Sequence, residues 1–336
     1  MRPVTGIFGL LILANAAAWG WALVAFRGDP ALLGMALLAS TLGLRHAVDA
    51  DHIAAIDNVT RKFLQAGRRP LSVGLFFALG HSTVVALAVA GLAAAVPLLG
   101  DRFDSWRHVG GLIGTMVSVL FLLAIAAANL VSLRSNWRAL RTAHHGDAGA
   151  TQHLDRLSAG GGLLARLCRP LVRLITQPWH MFFLGFLFGL GFDTATEVAL
   201  LGLSASQAAQ GMSIWTILVF PALFAAAMAL VDTADGVLML RAYGWAFDKP
   251  ARRLRYNLAI TLISVIVAVA VAGFQLLGLV GEEWRPSGTF WDTIGRLNDH
   301  TDAVGLAIIG VFVAIWTGTM LLHRSRRAKG GEAVAD

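Results

Sequence analysis

The sequence predicts an all-α fold: a polytopic integral membrane protein with about eight transmembrane helices in one membrane domain. Three observations carry this. Hydrophobic residues make up 57% of the 336-residue chain and charged residues only 14%, against about 25% charged in ordinary soluble domains. The apolar residues gather into runs long enough to cross a hydrocarbon core, which takes about 20 residues. Lysine and arginine are concentrated in alternate segments between those runs.

The first run, residues 6–26, follows Arg2. Its Ala14-Asn15-Ala16 has the small-residue pattern of a signal-peptide cleavage site. The apolar sequence continues well beyond it, so a retained first span is expected. Further spans are expected at 31–57, 71–99 and 109–133. A basic segment follows at 134–178, with Gly160-Gly161-Gly162 and seven arginines. The remaining spans are expected at 179–203, 212–240, 258–280 and 303–323.

Charge sets the orientation. One set of segments holds Arg2, the 61–69 cluster, the 134–178 arginines, the 241–255 cluster and the basic C-terminal tail. It carries 21 of the 27 basic residues, and the alternate set carries five. The positive-inside rule then places both termini and the 134–178 segment in the cytoplasm, with the chain in the inner membrane. The net charge of +7 is accounted for by topology and anionic lipid, and nucleic acid is not an expected partner. The single cysteine, Cys168, excludes an internal disulfide and any multi-cysteine metal site.

A charged side chain at the centre of a bilayer costs about 2.5–3.5 kcal/mol on insertion scales. Ionisable residues within spans therefore stand out. Residues 45–58, RHAVDADHIAAIDN, put Arg45, His46, Asp49, Asp51 and His52 in one second-span cluster. Imidazole and carboxylate together suit a divalent first-row transition metal. The third span carries His81 and Ser82 within FFALGHSTVV (76–85). The fifth carries Asp193, Thr194, Thr196 and Glu197 within GFDTATE (191–197), and the sixth carries Asp232, Thr233 and Asp235 within LVDTADG (230–236). His46, Asp49, Asp51, His52 and His81 are the candidate metal ligands, and Ser82 with the fifth- and sixth-span residues forms a candidate polar pathway. The first, fourth, seventh and eighth spans hold almost nothing ionisable at depth and are expected to be lipid-facing scaffold. Arg45 is read either as the counter-ion of an aspartate or as a residue near the membrane surface. His144, His145 and His153 are read as solvated, and Asp57 and Asn58 as the end of the second helix.

On a straight helix turning about 100° per residue, His46, Asp49 and His52 fall within an arc of about 120°, and Asp51 points about 140° from His46. Asp193 and Glu197 share a face, as do Asp232 and Asp235. Carboxylates so close repel unless a cation lies near them or one is protonated.

The strings RHAVDADHIAAIDN, LGHSTVV, LGFDTATE and DTADG, in that order, resemble the four signature motifs of the nickel/cobalt transporter family of secondary permeases. The resemblance extends to eight spans, a basic segment after the fourth and cytoplasmic termini. It implies high-affinity uptake of Ni²⁺, Co²⁺ or both as transported substrate, with no cofactor and no ATP hydrolysis by the chain. The family hallmark is a histidine, four residues, then aspartate-histidine. It maps onto His46, Asp51 and His52 and implies that these hold the metal. The hallmark thus selects Asp51, where straight-helix geometry favours Asp49. A local distortion of the helix, binding by Asp51 from another side, or one aspartate orienting a histidine would each reconcile the two.

Other classes lack their chemistry. A metalloprotease would carry H-E-x-x-H, and the stretch here reads H-A-V-D-A-D-H. Gly80-His81-Ser82 has no separate activating base in the pattern of a serine protease. No P-loop, G-x-x-x-x-G-K-[ST], occurs, and no enzyme is expected. An efflux permease using similar ligands, or a membrane metal sensor, are the alternative functions.

Overall fold

The computed structural model describes residues 2–95, 102–144, 175–190, 195–247, 250–284, 286–311 and 313–314. Among these residues every regular element is helical. In chain order they are α1 (Arg2–Ala25), α2 (Pro30–His46), α3 (Ala50–Gln65), α4 (Val73–Ala95) and α5 (Arg102–His144). A 3₁₀ turn, Pro178–His180, leads into α6 (Met181–Gly189) and then α7 (Ala195–Ala209). One turn at Ile214–Ile217 precedes α8 (Val219–Phe247), and α9 (Pro250–Trp284), α10 (Thr289–Asp299) and α11 (Thr301–Val311) follow. Five stretches among the described residues are long and apolar enough to cross a bilayer: Pro3–Ala25, Val73–Ala94, Leu112–Val131, Ile214–Arg241 and Thr261–Trp284. The α2–α3 pair adds a sixth if its two halves count as one span.

The expected second span is not one straight helix. It is broken at Ala47-Val48-Asp49, where α2 and α3 meet at 52°. α2 begins as its sequence dictates. Pro30 occupies the first turn, and the Asp29 carboxylate accepts from the Ala31 and Leu32 amides at 3.0 and 3.1 Å. At the break the Val48 and Asp49 amides donate three residues back, to Arg45 and His46 carbonyls at 3.1 and 3.0 Å. Asp49 is extended (φ −62°, ψ 144°) and occupies the N-cap position of α3 without capping it, so its carboxylate is directed elsewhere.

α3 then runs to Gln65, well past the expected end at Asp57. Asp57 and Asn58 are interior residues, not a terminus. Ser264 donates to Asp57 Oδ2 at 3.0 Å, and Asn58 Oδ1 accepts from Arg61 and Asn129 at 3.0 and 2.8 Å, tying α3 to α5 and α9. Two other expectations are revised. α5 continues to His144, so the start of the 134–178 segment is helix, and residues 145–174 lie outside the described residues, as do His145, His153 and Cys168. The expected fifth span is divided between α6 and α7, and α7 extends to Ala209.

α8 is the hub, packed against α1, α2, α3 and α4. Lipid tails are as apolar as leucine, so helices in a bilayer associate through close packing at small residues. Gly43 faces the Phe224 backbone and Gly74 the Asp232 carbonyl. Gly80 faces the Phe182 carbonyl, and Gly185 faces that of Phe77; a Cβ at any of these would collide with the neighbouring backbone. α4 is thereby pressed against both α6 and α8, which carries His81 and Asp232 toward the break. α1, expected to be scaffold, presents Leu10, Ile12, Leu13 and Val24 outward, while Asn15 donates to the Ala226 carbonyl of α8 at 2.9 Å.

Candidate metal centre

His46 is the last residue of α2, His52 lies in the first turn of α3, and His81 lies within α4. One ring nitrogen from each falls within 4.8 Å of the other two, and all three side chains are buried. The break makes this possible. Six residues on a straight helix are about 9 Å apart along the axis, too far to share one ion. Across the break the His46 and His52 rings are 4.6 Å apart, and His81 sits 4.7 and 4.9 Å from them.

Carboxylates surround the histidines. His46 Nδ1 lies 2.9 Å from Asp49 Oδ2 and 3.1 Å from the Thr196 hydroxyl. A proton on Nδ1 shared with Asp49 leaves the Nε2 lone pair of His46 facing the cluster, the arrangement by which an outer carboxylate orients a metal-binding imidazole. His46 Nε2 and His81 Nε2 are 2.9 Å apart, and Glu197 Oε1 is 2.8 Å from His81 Nε2 and 3.9 Å from His46 Nε2. His52 Nδ1 is 3.5 Å from Asp232 Oδ2.

Several of these groups are unsatisfied. Both nitrogens of His52, Nδ1 of His81 and both oxygens of Asp232 are buried with no hydrogen-bond partner among the described residues. Leaving a buried polar group unpaired costs about 1–3 kcal/mol, and native proteins seldom tolerate several together. Imidazole lone pairs and carboxylate oxygens converging this way are the donor set of a divalent transition metal.

The remaining expected residues divide clearly. Thr196 and Glu197 join the cluster. Asp49 contacts His46. Asp51 does not contribute to the clustered ligand atoms; it is half-buried and its Oδ1 accepts from the His52 amide at 2.9 Å. Ser82 and Asp235 are buried, and their side-chain oxygens have no hydrogen-bond partner among the described residues. The Thr233 hydroxyl is tied to the Ala229 carbonyl of its own helix at 2.6 Å. Asp193 and Thr194 lie outside the described residues. Arg45 is an ion-pair partner, with Nε 2.7 Å from Asp302 Oδ2. Thr301, absent from the candidates read off the sequence, donates to Asp49 Oδ1 at 2.9 Å. Its only sequence signal is a Thr-Asp pair ahead of the last apolar run, which reads as a span boundary.

Buried imidazoles and carboxylates, gathered from α2, α3, α4, α7 and α8 around a broken helix, mark a polytopic membrane protein whose interior holds a histidine group able to bind a metal ion. The model of the NicO family, described as high-affinity nickel-transport protein, matches residues 32–322, and the chain belongs to that family. The high-affinity nickel transport protein of Cupriavidus necator is 53% identical over 329 residues, covering 98% of this chain and 94% of that protein. The hydrogenase nickel incorporation protein HupN of Bradyrhizobium diazoefficiens is 52% identical over 330 residues, covering 98% and 86%. The cobalt transport protein NhlF of Rhodococcus rhodochrous is 39% identical over 330 residues, covering 96% and 92%. No solved structure matches the chain.

Proposed function

We propose that the chain is a secondary permease that takes up Ni²⁺, Co²⁺ or both across the cytoplasmic membrane with high affinity. The metal is transported substrate and not a resident cofactor. The observation that carries this reading is the convergence of His46, His52 and His81 within 4.8 Å inside a membrane domain, with neither nitrogen of His52 hydrogen-bonded among the described residues. Mg²⁺ and Ca²⁺ prefer all-oxygen sites, so imidazoles select a transition metal. Raw affinity would favour Cu²⁺, so selection among these metals falls to the geometry of the three rings.

The ion arrives from the extracytoplasmic side and exchanges water for His46, His52 and His81. Glu197 and Asp232 balance its charge, and Asp49 holds His46 in the binding tautomer. Asp51 is the half-buried carboxylate of the group, while Asp49, Glu197 and Asp232 are fully buried; its exposure suits it to receive the arriving ion. Ser82, Thr233 and Asp235, with Asp193 and Thr194, form the polar pathway onward. Broken helices near the bilayer midplane are where secondary transporters place their sites, and the α2–α3 break fits that pattern. An inside-negative potential favours entry of a divalent cation by about 4.6 kcal/mol per 100 mV, twice the single-charge value. The chain crosses the membrane eight times with both termini in the cytoplasm, hydrolyses no nucleotide and binds no nucleic acid.

Metal accumulation in expressing cells tests the reading. Uptake raises cellular nickel or cobalt above the level of cells lacking the protein, and His52→Ala abolishes the rise. A fall would identify an efflux permease. No change, with metal still bound by the protein, would identify a sensor.

A further inference from the structure

The head of α11 reaches the histidine cluster. The Thr301 hydroxyl donates to Asp49 Oδ1 at 2.9 Å, and the other oxygen of the same carboxylate lies 2.9 Å from His46 Nδ1. The next residue, Asp302, accepts from Arg45 Nε and Nη2 at 2.7 and 3.2 Å. One turn further on, Gly305 lies so close to the Val48 carbonyl that a Cβ has no room. All three contacts fall within residues 45–49, the break between α2 and α3.

We propose that Thr301 is a positioning residue for the metal site: through Asp49 it fixes the tautomer and ring plane of His46. This rests on the transport reading only in taking His46 as a ligand of the ion. Asp49 occupies the N-cap position of α3, where an aspartate normally accepts from the free amides of the first turn. Here it makes no such bond. One oxygen is held by Thr301 and the other by His46, so both the torsion of the carboxylate and its distance from the imidazole are set from two sides. Without the hydroxyl, a buried oxygen loses its donor, and the carboxylate is free to rotate back to the helix amides. His46 Nδ1 then faces the Thr196 hydroxyl 3.1 Å away, which can donate as well as accept and so does not hold the proton on Nδ1 or the Nε2 lone pair toward His81. The Arg45–Asp302 pair and the Gly305–Val48 contact hold the two segments together, so the hydroxyl is delivered to a fixed place.

The full-length protein in lipid nanodiscs, titrated with Co²⁺ and followed by ligand-field absorption, reads the site directly. Nickel uptake in proteoliposomes provides the parallel transport measurement. Thr301→Val and Thr301→Ala remove the hydroxyl, and Thr301→Ser keeps it. Both hydroxyl-free variants should raise the half-saturating Co²⁺ concentration about tenfold, the lower end of the effect of losing an outer partner of a metal ligand. Both should also shift the absorption bands of the bound ion, and maximal uptake should fall by less than affinity does. The serine variant should match the wild type in affinity and spectrum. If valine crowds the site and the variant fails to insert, the alanine variant carries the comparison. Wild-type affinity and spectrum in the hydroxyl-free variants would overturn the proposal. So would a serine variant as impaired as the valine one, since side-chain bulk would then be what matters. If wild-type protein binds Co²⁺ but moves no metal across the membrane, the transport reading falls while the titration still decides the role of Thr301.

Discussion

His52 Nδ1 and Asp232 Oδ2 lie 3.5 Å apart at the meeting of α3 and α8, both residues fully buried and neither side chain hydrogen-bonded among the described residues. A buried carboxylate beside an imidazole with two unsatisfied nitrogens is a costly arrangement that a cation relieves. His52→Ala should abolish uptake at trace metal while leaving the protein in the membrane. Asp232→Asn keeps the shape and removes the charge, and should raise the half-saturating metal concentration about 10–100-fold. Initial rates of radioactive nickel and cobalt uptake, normalised to membrane protein, check both.

Asp49 and Asp51 should fail in different ways. Asp49 touches His46 and Thr301, so Asp49→Asn should weaken metal affinity about 10–100-fold and shift the Co²⁺ ligand-field bands. Asp51 accepts from the His52 amide and is not among the clustered ligand residues. Asp51→Asn should slow capture at trace metal and leave the spectrum of the bound ion unchanged. A spectrum altered by Asp51→Asn would make Asp51 a direct ligand, as the family hallmark implies.

Acid should oppose binding. Imidazole holds metal only through an unprotonated nitrogen, and the unperturbed histidine pKa is about 6.5. Each histidine that must lose a proton to bind weakens apparent affinity by up to about tenfold per pH unit below its pKa. Half-saturating metal should therefore rise steeply as external pH falls from about 7.5 to 5, a range that brackets the histidine pKa. Uptake into vesicles at clamped potential, with buffered free metal, measures this. A maximal rate that rises strongly with acid would replace potential-driven uniport with proton symport.

Topology is tested separately from chemistry. Reporter fusions within 145–174 and at the C-terminus should read cytoplasmic, and fusions at 204–212 and 282–301 should read external. An external reading from 145–174 would break the alternation on which eight crossings rest.

The sequence exposed the chemistry better than the shape. His46, His52 and His81 were legible because ionisable residues at membrane depth are too costly to be incidental, and their residue types name a transition metal. The break at residues 47–49 left only an indirect trace, the misfit between Asp51 and a straight helix. Neither proline nor glycine lies between His46 and His52 to announce a kink. Distant contacts grip the broken segment instead: Thr301 on Asp49, Asp302 on Arg45 and Gly305 on Val48. No local pattern connects residues so far apart in the chain. Asp57 misled for a related reason. A charge near the end of an apolar run reads as a helix terminus until Ser264 supplies it with a buried partner.

Three imidazoles, those of His46, His52 and His81, are expected to meet on one ion. X-ray absorption at the nickel edge, on the full-length protein loaded in lipid nanodiscs, tests it most directly. About three nitrogen scatterers are expected near 2 Å, the usual imidazole distance on such metals, with the outer-shell pattern of the imidazole rings. One imidazole should be lost in each of His46→Ala, His52→Ala and His81→Ala wherever metal is still retained. An all-oxygen shell, or a spectrum that none of these substitutions changes, would contradict it.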